Sequence, residues 1–551
     1  MKKIACIIGL LTWVSSLSAQ KGYNHNFEIS KNLEIFNDIY KQLDLFYVDT
    51  LSADTVIEWG INAMLRKVDP FTEYYSESNM DELKEMTTGK YAGVGSVIRY
   101  YKKEERVMLV EPWEDSPATK AGIKAGDIIM SIEGKDVKGM SNAEVSKLLR
   151  GEPGTTFEIS VKRSGEEQPL VFKVTRENIV MPPVPYYGML NDEVGYIFFD
   201  RFVEGCSRDV RRAIVELKAQ GARSLVLDMR GNPGGPMSEA IEVTNLFVPR
   251  GKKIVYTKGK LASVNAEHYS KKEPLDTEIP LVVLVDGSSA SSAEIVSGAL
   301  QDLDRAVIVG TKTYGKGLVQ MIREVPYHGS MKVTTSRYYI PSGRCIQAYD
   351  YRHLNPDGSA GTVPDSLTKV FKTAAGREVR DGGGINPDCV VTPDSLPSIV
   401  YDIAASDVLL EYVGQFVASH PEIDVPGEFT LSDEDYAQFV ELVKSSDFTY
   451  KRRTEEVMKL LERTARFEGC YEVAKDEFAA LAKKMTGDVS VDLQRFKKDI
   501  CPLIENDIIS RYYYRKGAIE HQLRDDKEVK AALELLADPK RYKEILSPKR
   551  K

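Results

Sequence analysis

The segment from residue 281 to residue 320 constrains the fold of this chain more than any other stretch. It begins with an unbroken apolar run, Leu281 to Val285, which has the length of a fully buried strand. The turn Asp286-Gly287-Ser288 ends this run, and a helical pattern with apolar residues on one face follows. A second short apolar run extends from Ala306 to Val309. Strands that alternate with helices in this way predict an α/β core.

Ser291 lies where the first buried strand passes into the helix. The N-H groups at a helix N-terminus have no intrahelical partner and the dipole favours negative charge, so an oxyanion formed there would be stabilised. The sequence Ser291-Ser292-Ala293-Glu294 also fits the S-x-x-E capping box, in which Ser291 would only cap the helix. Ser288 or Ser289 could take the capping role instead. The turn alone leaves both interpretations open.

A reactive serine needs a general base, and none of the six histidines lies in a recognisable catalytic constellation. Lys316, 25 residues after Ser291, is the better candidate. The flanking Gly315 and Gly317 let the backbone pack closely and keep water from the amine. Burial lowers the pKa of a lysine amine, which favours the neutral, basic form. The amide of Gln320 could orient this amine, and a solvated turn lysine is the alternative.

Residues 310 to 316 also approach the phosphate-binding pattern G-x-x-x-x-G-K-[ST]. The next residue is Gly317, so the hydroxyl that would hold Mg²⁺ is missing. No helix pattern follows either, because Pro326 comes soon afterwards and Met331 to Ile340 has the pattern of a strand. We therefore favour catalysis over nucleotide binding at this segment.

These residues resemble the C-terminal processing peptidases, also called tail-specific proteases. The resemblance implies that Ser291 is the nucleophile, Lys316 the base and Gln320 an assisting residue. It spans roughly residues 30 to 395 and includes four further motifs in the right order: Asp228 to Gly235 (DMRGNPGG), Gln301-Asp302, Tyr339 to Arg344 and Gly382 to Asp388. The chain departs from the common pattern by having Ser292-Ala293 where Ala-Ser is usual.

The resemblance also implies supporting roles around this pair. The backbone N-H of Ser292 and an N-H of Gly234 or Gly235 would form the oxyanion hole, although a plain glycine turn is the alternative for these glycines. Asp302 would support the helix that carries Ser291, with a solvated helix-end acid as the alternative. No metal and no organic cofactor is expected.

Residues 88 to 178 resemble a PDZ domain through Ser116-Pro117-Ala118 and the run from Ala121 to Ile129. A PDZ domain binds an extended peptide by strand addition and holds its terminal carboxylate on N-H groups of a glycine loop. The resemblance assigns that loop to Gly93, Val94, Gly95 and Ser96. Protein or peptide substrates bound by their C-termini are the partners that this implies, and a simple β-turn is the alternative for the loop.

The N-terminus fits a cleavable secretory signal peptide, with Lys2 and Lys3, an apolar run from Ile4 to Val14 and small residues up to Ala19. A buried first strand or an uncleaved anchor is the alternative. Residues 27 to 68 have helical spacing, and such an arm is most simply a lid or a homodimer contact. Amphipathic windows after residue 396 predict a helical C-terminal region whose role the sequence does not specify.

Composition limits the function further. The chain has 551 residues, 42% of them hydrophobic and 28% charged, which is ordinary for a globular protein of several domains. A formal charge of −8 and the lack of a basic motif argue against a nucleic-acid partner. No cysteine pair has metal-ligand spacing. Cys470 and Cys501 could form a disulfide in an exported protein, and buried free thiols are an equal alternative.

Together these features predict a multidomain α+β protein. The expected regions are a signal peptide (1–19), an N-terminal helical region (20–87), a PDZ domain (88–178), an α/β peptidase core (179–395) and a C-terminal helical domain (396–551). The resemblance implies a crotonase-like core and a periplasmic or secreted serine endopeptidase. A catalytically inactive PDZ adaptor, a nucleotide-binding protein and a crotonase-like acyl enzyme are the alternatives.

Overall fold

A computed structural model of the chain describes residues 25–450, 452–485 and 488–548. The proposed signal peptide at residues 1–19 lies outside the described residues. The chain divides into one unit made of residues 1–75 and 322–333 and a second made of residues 76–321 and 334–551. The five cysteines in the described residues are free thiols, Cys470 and Cys501 among them.

The described part of the first unit contains two helices, a short strand and the segment 322–333. Helix α1 covers residues 25–46, α2 covers Ala53–Arg66, and strand β1 covers Glu73–Tyr75. The helical pattern therefore ends just before Asp69, whose carboxylate accepts N-H bonds from Phe71 and Thr72 at 2.8 Å. Strand β1 pairs antiparallel with Ser330 to Lys332.

The second unit begins with a small antiparallel β-domain whose sheet has the order β3-β4-β5-β7-β8, with β6 beside β5. Strands β2 and β9 form a separate antiparallel pair. Because inward-facing residues such as Val107, Leu109 and Ile129 alternate along the strands, the domain has its own apolar core. The elements are α3 (Met80–Thr88), β2 (Lys90–Gly93), β3 (Ser96–Tyr101), β4 (Arg106–Pro112), α4 (Pro117–Lys120), β5 (Asp127–Ile132), β6 (Lys135–Asp136), α5 (Asn142–Leu149), β7 (Thr156–Lys162), β8 (Leu170–Thr175) and β9 (Glu177–Val180).

The α/β core follows, with a six-stranded sheet in the order β10-β11-β12-β15-β16-β23. All neighbouring pairs from β11 to β23 are parallel, and β10 is antiparallel to β11. The elements of its first half are β10 (Tyr186–Met189), β11 (Val194–Phe198), α6 (Cys206–Ala219), β12 (Ser224–Asp228), α7 (Met237–Asn245), β13 (Lys253–Gly259), β14 (Ala266–Tyr269), β15 (Leu281–Val285), α8 (Ser292–Asp302) and β16 (Val307–Gly310).

The central strand β15 is buried along its whole length, as its continuous apolar run predicts for a parallel strand with both faces covered. The second half of the core contains the strands β17 (Leu318–Val325), β18 (Gly329–Tyr339), β19 (Tyr349–Leu354), β20 (Ala360–Thr362), β21 (Val370–Lys372), β22 (Glu378–Arg380) and β23 (Cys389–Val390). Strand β13 pairs with β14 and with the Ser336 to Tyr339 end of β18.

The chain after residue 396 is helical, as its amphipathic pattern predicts. Most of these helices enclose a second apolar core around Val413, Phe439 and Ile504. Their bounds are α9 (Ser398–Ala405), α10 (Asp407–Ser419), α11 (Asp433–Ser445), α12 (Arg453–Phe467), α13 (Lys475–Met485), α14 (Val489–Arg495), α15 (Lys497–Leu523), α16 (Lys527–Leu536) and α17 (Pro539–Leu546). The expected fold class, α+β in several domains with an α/β core, is confirmed.

Candidate active site

Three loops of the core meet at one edge of the sheet. The glycine loop at residues 229–235 follows β12, the turn with Ser291 follows β15, and the loop with Lys316 follows β16. Strands β12, β15 and β16 are adjacent and parallel. Their carboxyl ends therefore lie side by side, which is where open α/β sheets place their sites.

Ser291 has a strained backbone at the start of α8. Its φ is 54° and its ψ −113°, a conformation that a residue with a side chain rarely adopts. Asp286 stabilises the turn, because its Oδ1 accepts N-H bonds from Ser288 and Ser289 at 2.9 Å. Strain of this kind persists only where the surrounding structure fixes it, and it is typical of functional turns.

Glu294 connects the serine turn to the lysine loop. Its Oε2 accepts the backbone N-H of Ser291 and the backbone N-H of Lys316, both at 2.9 Å. Its Oε1 accepts the N-H of Gly315 at 2.7 Å and the hydroxyl of Thr313. One carboxylate thus holds both turns, so the structure brings the Ser291 and Lys316 positions together.

The Glu294 side chain is completely buried. Burial raises its pKa to about 7, although the four hydrogen-bond donors around the carboxylate act in the opposite direction. The group therefore titrates near neutral pH, and only its ionised form is an acceptor for all four donors.

Lys316 is half-buried between two close-packed glycines. A Cβ at Gly315 would lie 2.3 Å from Cβ of Ala348, and one at Gly317 would lie 2.7 Å from the Gln347 backbone nitrogen. Only glycine permits this approach. The chain continues from the loop into strand β17 and not into a helix, so the helix N-terminus that a phosphate-binding loop requires is not formed here.

Gln320 and Asp302 each have defined polar contacts. Gln320 is on β17, and its Nε2 donates to Oγ1 of Thr334 at 3.0 Å. Asp302 is the last residue of α8, where its Oδ1 lies 2.9 Å from Nη2 of the buried Arg344 and its Oδ2 accepts the Ser342 N-H at 2.9 Å. Asp302 thereby ties the end of the helix that follows Ser291 to the neighbouring loop.

The glycine loop packs directly on the serine turn. A Cβ at Gly234 would lie 2.8 Å from Cβ of Ser291 and 2.8 Å from the Ser292 nitrogen. The hydroxyl of Ser292 donates to the carbonyl of Gly235 at 2.7 Å. The Gly234 N-H already donates to Asn232 Oδ1 at 2.9 Å. Of the two glycine N-H groups considered for an oxyanion hole, that of Gly235 is therefore the better candidate.

The glycine loop of the small β-domain lines a separate cavity of about 220 Å³. Three of the four residues assigned to the carboxylate-binding loop, Gly93, Val94 and Ser96, line this cavity together with Tyr91 and Arg150. Gly95 adjoins them in the chain and has a positive φ of 74°. The cavity lies between β3 and α5, where a PDZ domain receives a peptide strand.

Tyr91 extends into this loop. The backbone N-H groups of Gly95 and Ser96 face its hydroxyl, and the Arg150 guanidinium lies 4.8 Å from its ring centroid. Arg150 in turn pairs with Glu85 at 2.6 Å. Burial raises the pKa of Tyr91 to about 12, which keeps the phenol neutral. A neutral hydroxyl thus stands where the N-H groups would receive a peptide carboxylate.

Sequence reasoning did not find two of these features. The S-x-x-E spacing marked Glu294 only as a capping residue, because its contacts with residues 313–316 depend on tertiary structure. Tyr91 lies two residues before Gly93, but its sequence position gives no sign that its hydroxyl enters the PDZ loop.

Two broader observations complete the description of the site. Among residues 25–450, 452–485 and 488–548, no group of three or more His, Cys, Asp or Glu side chains could hold a metal ion. Within the same residues, no helix has both the length and the apolar character needed to cross a membrane.

Models of known families match three parts of the chain. Residues 193–360 match peptidase family S41, residues 111–163 match a PDZ domain, and residues 399–536 match the C-terminal helical domain of probable PDZ-proteases. The peptidase match contains Ser291, Lys316 and Gln320, together with the glycine loop.

Several known proteins are similar to this chain over most of their length. A carboxy-terminal-processing protease of Bartonella bacilliformis is 35% identical over 328 residues, which are 59% of this chain and 74% of that protein. A probable CtpA-like serine protease of Staphylococcus aureus is 32% identical over 352 residues, 62% of this chain and 68% of that protein. A solved photosystem II D1 C-terminal processing protease is 26% identical, covers 66% of this chain and 93% of its own, and has a TM-score of 0.36. The chain therefore belongs to the carboxy-terminal-processing proteases of peptidase family S41, and it is a serine-type peptidase.

Proposed function

We propose that this protein is an endopeptidase of the cell envelope that binds protein C-termini in its PDZ domain and cleaves the bound chains with a Ser291/Lys316 pair. The observation that carries this proposal is the shared acceptor Glu294, whose Oε2 receives the backbone N-H of both residues at 2.9 Å. Two residues that are 25 positions apart in sequence are thereby held in one centre.

In the proposed reaction, the neutral amine of Lys316 takes the proton of the Ser291 hydroxyl as Oγ attacks the scissile carbonyl carbon. The carbonyl electron pair moves to oxygen, and the N-H groups of Ser292 and Gly235 stabilise the resulting oxyanion. Each such donor contributes roughly 3 kcal/mol in measured cases. Lys316 then returns the proton to the leaving amine as the C-N bond breaks. Water, activated by the same amine, finally hydrolyses the acyl-Ser291 ester.

Gln320 and Asp302 have supporting roles in this proposal. Gln320 orients the Lys316 amine from β17, the strand that follows the Lys316 loop, and Asp302 fixes the end of α8 through its ion pair with Arg344. The PDZ cavity raises the local concentration of a substrate near the peptidase centre, since a tethered chain meets the site intramolecularly. No metal and no organic cofactor takes part in these steps.

Cleavage of a disordered protein tests the proposed pair. Wild type, Ser291→Ala and Lys316→Ala are incubated with the substrate, and new termini are identified by mass spectrometry. Ser288→Ala and Lys312→Ala are matched controls, because each is an exposed residue of the same type a few positions away. We expect cleavage by wild type and both controls and none by the two site variants. Undiminished cleavage by Ser291→Ala would reject the proposal, and tight ATP binding that Lys316→Ala abolishes would favour a nucleotide site instead.

We also propose that the protein is exported to the periplasm or secreted. This rests on the signal-like pattern of Lys2, Lys3 and the apolar run up to Val14. N-terminal sequencing of the protein from fractionated cells should find it outside the cytoplasm and beginning after about residue 19. A full-length N-terminus in the cytoplasm would contradict this proposal.

The N-terminal helices support a further proposal, homodimer formation. Helices α1 and α2 expose large apolar side chains, among them Leu33, Phe36, Ile39 and Trp59, each 51% or more exposed. A second copy that covers them would remove this apolar surface from water. Light scattering should give a dimer for wild type and for the control Val171→Asp on the PDZ domain, and a monomer for Phe36→Asp. A monomeric wild type would contradict homodimer formation.

A further inference from the structure

The last two helices, α16 and α17, cover one face of the six-stranded sheet of the core. Apolar residues of α16 and α17 pack on the face of β11, β12, β15 and β16 in one buried cluster, with Val529, Ala532 and Leu535 on the helix side. The hydroxyl of Tyr542 on α17 donates to the carbonyl of Leu281 and accepts the N-H of Leu281, both at 3.0 Å. Leu281 is the first residue of the strand that leads to Ser291. The C-terminal helices therefore contact the catalytic core directly.

The start of α16 also contacts the glycine loop through Arg230. Nη2 of Arg230 lies 2.7 Å from Asp526 Oδ2, and its Nη1 lies 3.3 Å from Glu528 Oε2. The same guanidinium contacts Asp228 at the end of β12, with Nε 3.0 Å from each carboxylate oxygen. The side chains of Arg230, Asp526 and Glu528 are 20%, 14% and 13% exposed, so solvent screens these pairs only partly.

Arg230 belongs to a loop that is rich in glycine. Gly231, Gly234 and Gly235 have φ values of 71°, 90° and 154°, and none of them has a side chain that could fix the backbone. The loop also contacts the serine turn, because the Gly231 N-H donates to Asp286 and the Gly235 carbonyl accepts from Ser292. On another side, Asn232 Nδ2 donates to the Phe199 carbonyl at 2.8 Å, and the Phe202 N-H donates to the Gly234 carbonyl at 3.2 Å. Arg230 adds the contact between this loop and the C-terminal helix α16.

We infer that Asp526 and Glu528 are positioning residues of the peptidase centre, which hold Arg230 and thereby the glycine loop in the geometry that offers the Gly235 N-H to the oxyanion. This inference rests on the proposed function. The C-terminal helical region then has a defined catalytic contribution, which neither the shared motifs nor the family match assigns to these two residues. Neither carboxylate touches the substrate, so both act through Arg230.

The variants that test this inference remove charge and keep shape. Asp526 is also the N-cap of α16 and accepts the Val529 N-H at 2.9 Å, a role that asparagine fills equally well. Asp526→Asn therefore removes the ion pair without uncapping the helix, and Glu528→Gln is its counterpart. Asp525→Asn is the matched control, because Asp525 pairs with Lys530 at the surface of the same helix start, 76% exposed.

Steady-state cleavage of a fluorogenic peptide provides the first readout. We expect the double variant to lose about tenfold in kcat with KM unchanged, less than the loss of 10²–10³ that follows from removing an oxyanion donor outright. Binding of a peptide boronate, whose tetrahedral adduct mimics the oxyanion, should weaken by a similar factor. Binding of the same peptide sequence to Ser291→Ala should not change when the two substitutions are added. Asp525→Asn should match wild type in every readout.

The outcomes separate this inference from the proposed function. Cleavage by Ser291→Ala would reject the proposed function and, with it, the inference. If wild-type cleavage depends on Ser291 but the folded double variant keeps kcat within twofold of wild type, the inference alone is rejected. Equal weakening of boronate and peptide binding would also reject it, since that pattern indicates general loosening. If the double variant does not fold, each single variant leaves Arg230 with two carboxylates, and the same criteria apply to the single variants.

Discussion

Replacing Glu294 with glutamine tests how the two catalytic turns are held together. The buried carboxylate accepts two donors on each oxygen, and the glutamine amide has only one oxygen. Whichever way the amide points, two donors lose their acceptor. At roughly 1–3 kcal/mol for each unsatisfied buried donor, the lost hydrogen bonds are worth about 2–6 kcal/mol.

The carboxylate also makes stability depend on pH. Its folded-state pKa of about 7 lies above the ordinary value of 4.5, so the folded protein retains a proton that the unfolded chain releases. This contribution to stability is fully present below about pH 4.5 and is lost as the pH rises to 7. At about 1.4 kcal/mol for each pKa unit, the difference amounts to about 3 kcal/mol.

Urea denaturation of both proteins at pH 5 and at pH 7.5 measures this difference. Wild type should lose about 2 kcal/mol more than Glu294→Gln between the two pH values, because part of the transition lies below pH 5. Glu239→Gln is a useful control. Burial alone would raise the pKa of Glu239, but the N-H groups of Gly205 and Ser207 hold it below its ordinary value. The effect of pH on the stability contributed by Glu239 therefore has the opposite sign. An identical pH dependence in wild type and Glu294→Gln would refute the reasoning.

Three further predictions follow from the contacts around the two sites. Tyr91→Phe should raise the affinity for a peptide with a free C-terminal carboxylate several-fold in calorimetry, because the competing hydroxyl is gone, and should leave an amidated peptide unaffected. Gly235→Ala should abolish peptide cleavage, since its Cβ would lie 2.0 Å from the Phe202 carbonyl oxygen. Asp302→Asn should destabilise the core by about 3–5 kcal/mol in thermal or urea denaturation, because the Arg344 charge stays buried without its ion-pair partner.

Local patterns predicted the scaffold well. The apolar run from Leu281 to Val285, the serine turn and the amphipathic helix after it reappear as β15, the Ser291 turn and α8, because burial of a parallel strand and helix amphipathicity are both visible in sequence. The close packing at Gly315 and Gly317 also follows the expectation from their flanking positions. Ser291 and Lys316 could be named as candidates from their turns, and the resemblance to a family supported pairing them, since sequence spacing gives no distance.

Contacts between distant segments could not be predicted in the same way. The amphipathic windows after residue 396 predicted helices but not which helix meets the glycine loop, and the pairing of Arg230 with Asp526 spans almost 300 residues of chain. Likewise, Gly234 and Gly235 were equivalent candidates in sequence, and only the bond from the Gly234 N-H to Asn232 distinguishes them. Such contacts depend on tertiary packing, which local patterns in the sequence do not show.

Covalent labelling of the nucleophile tests the central claim most directly. A peptidyl phosphonate, which reacts only with an activated serine, is incubated with the full chain, and the adduct is located by mass spectrometry. The account predicts one adduct, on Ser291, formed by wild type and Lys312→Ala and not by Lys316→Ala. An adduct on another residue, or labelling of Lys316→Ala at the wild-type rate, would contradict it.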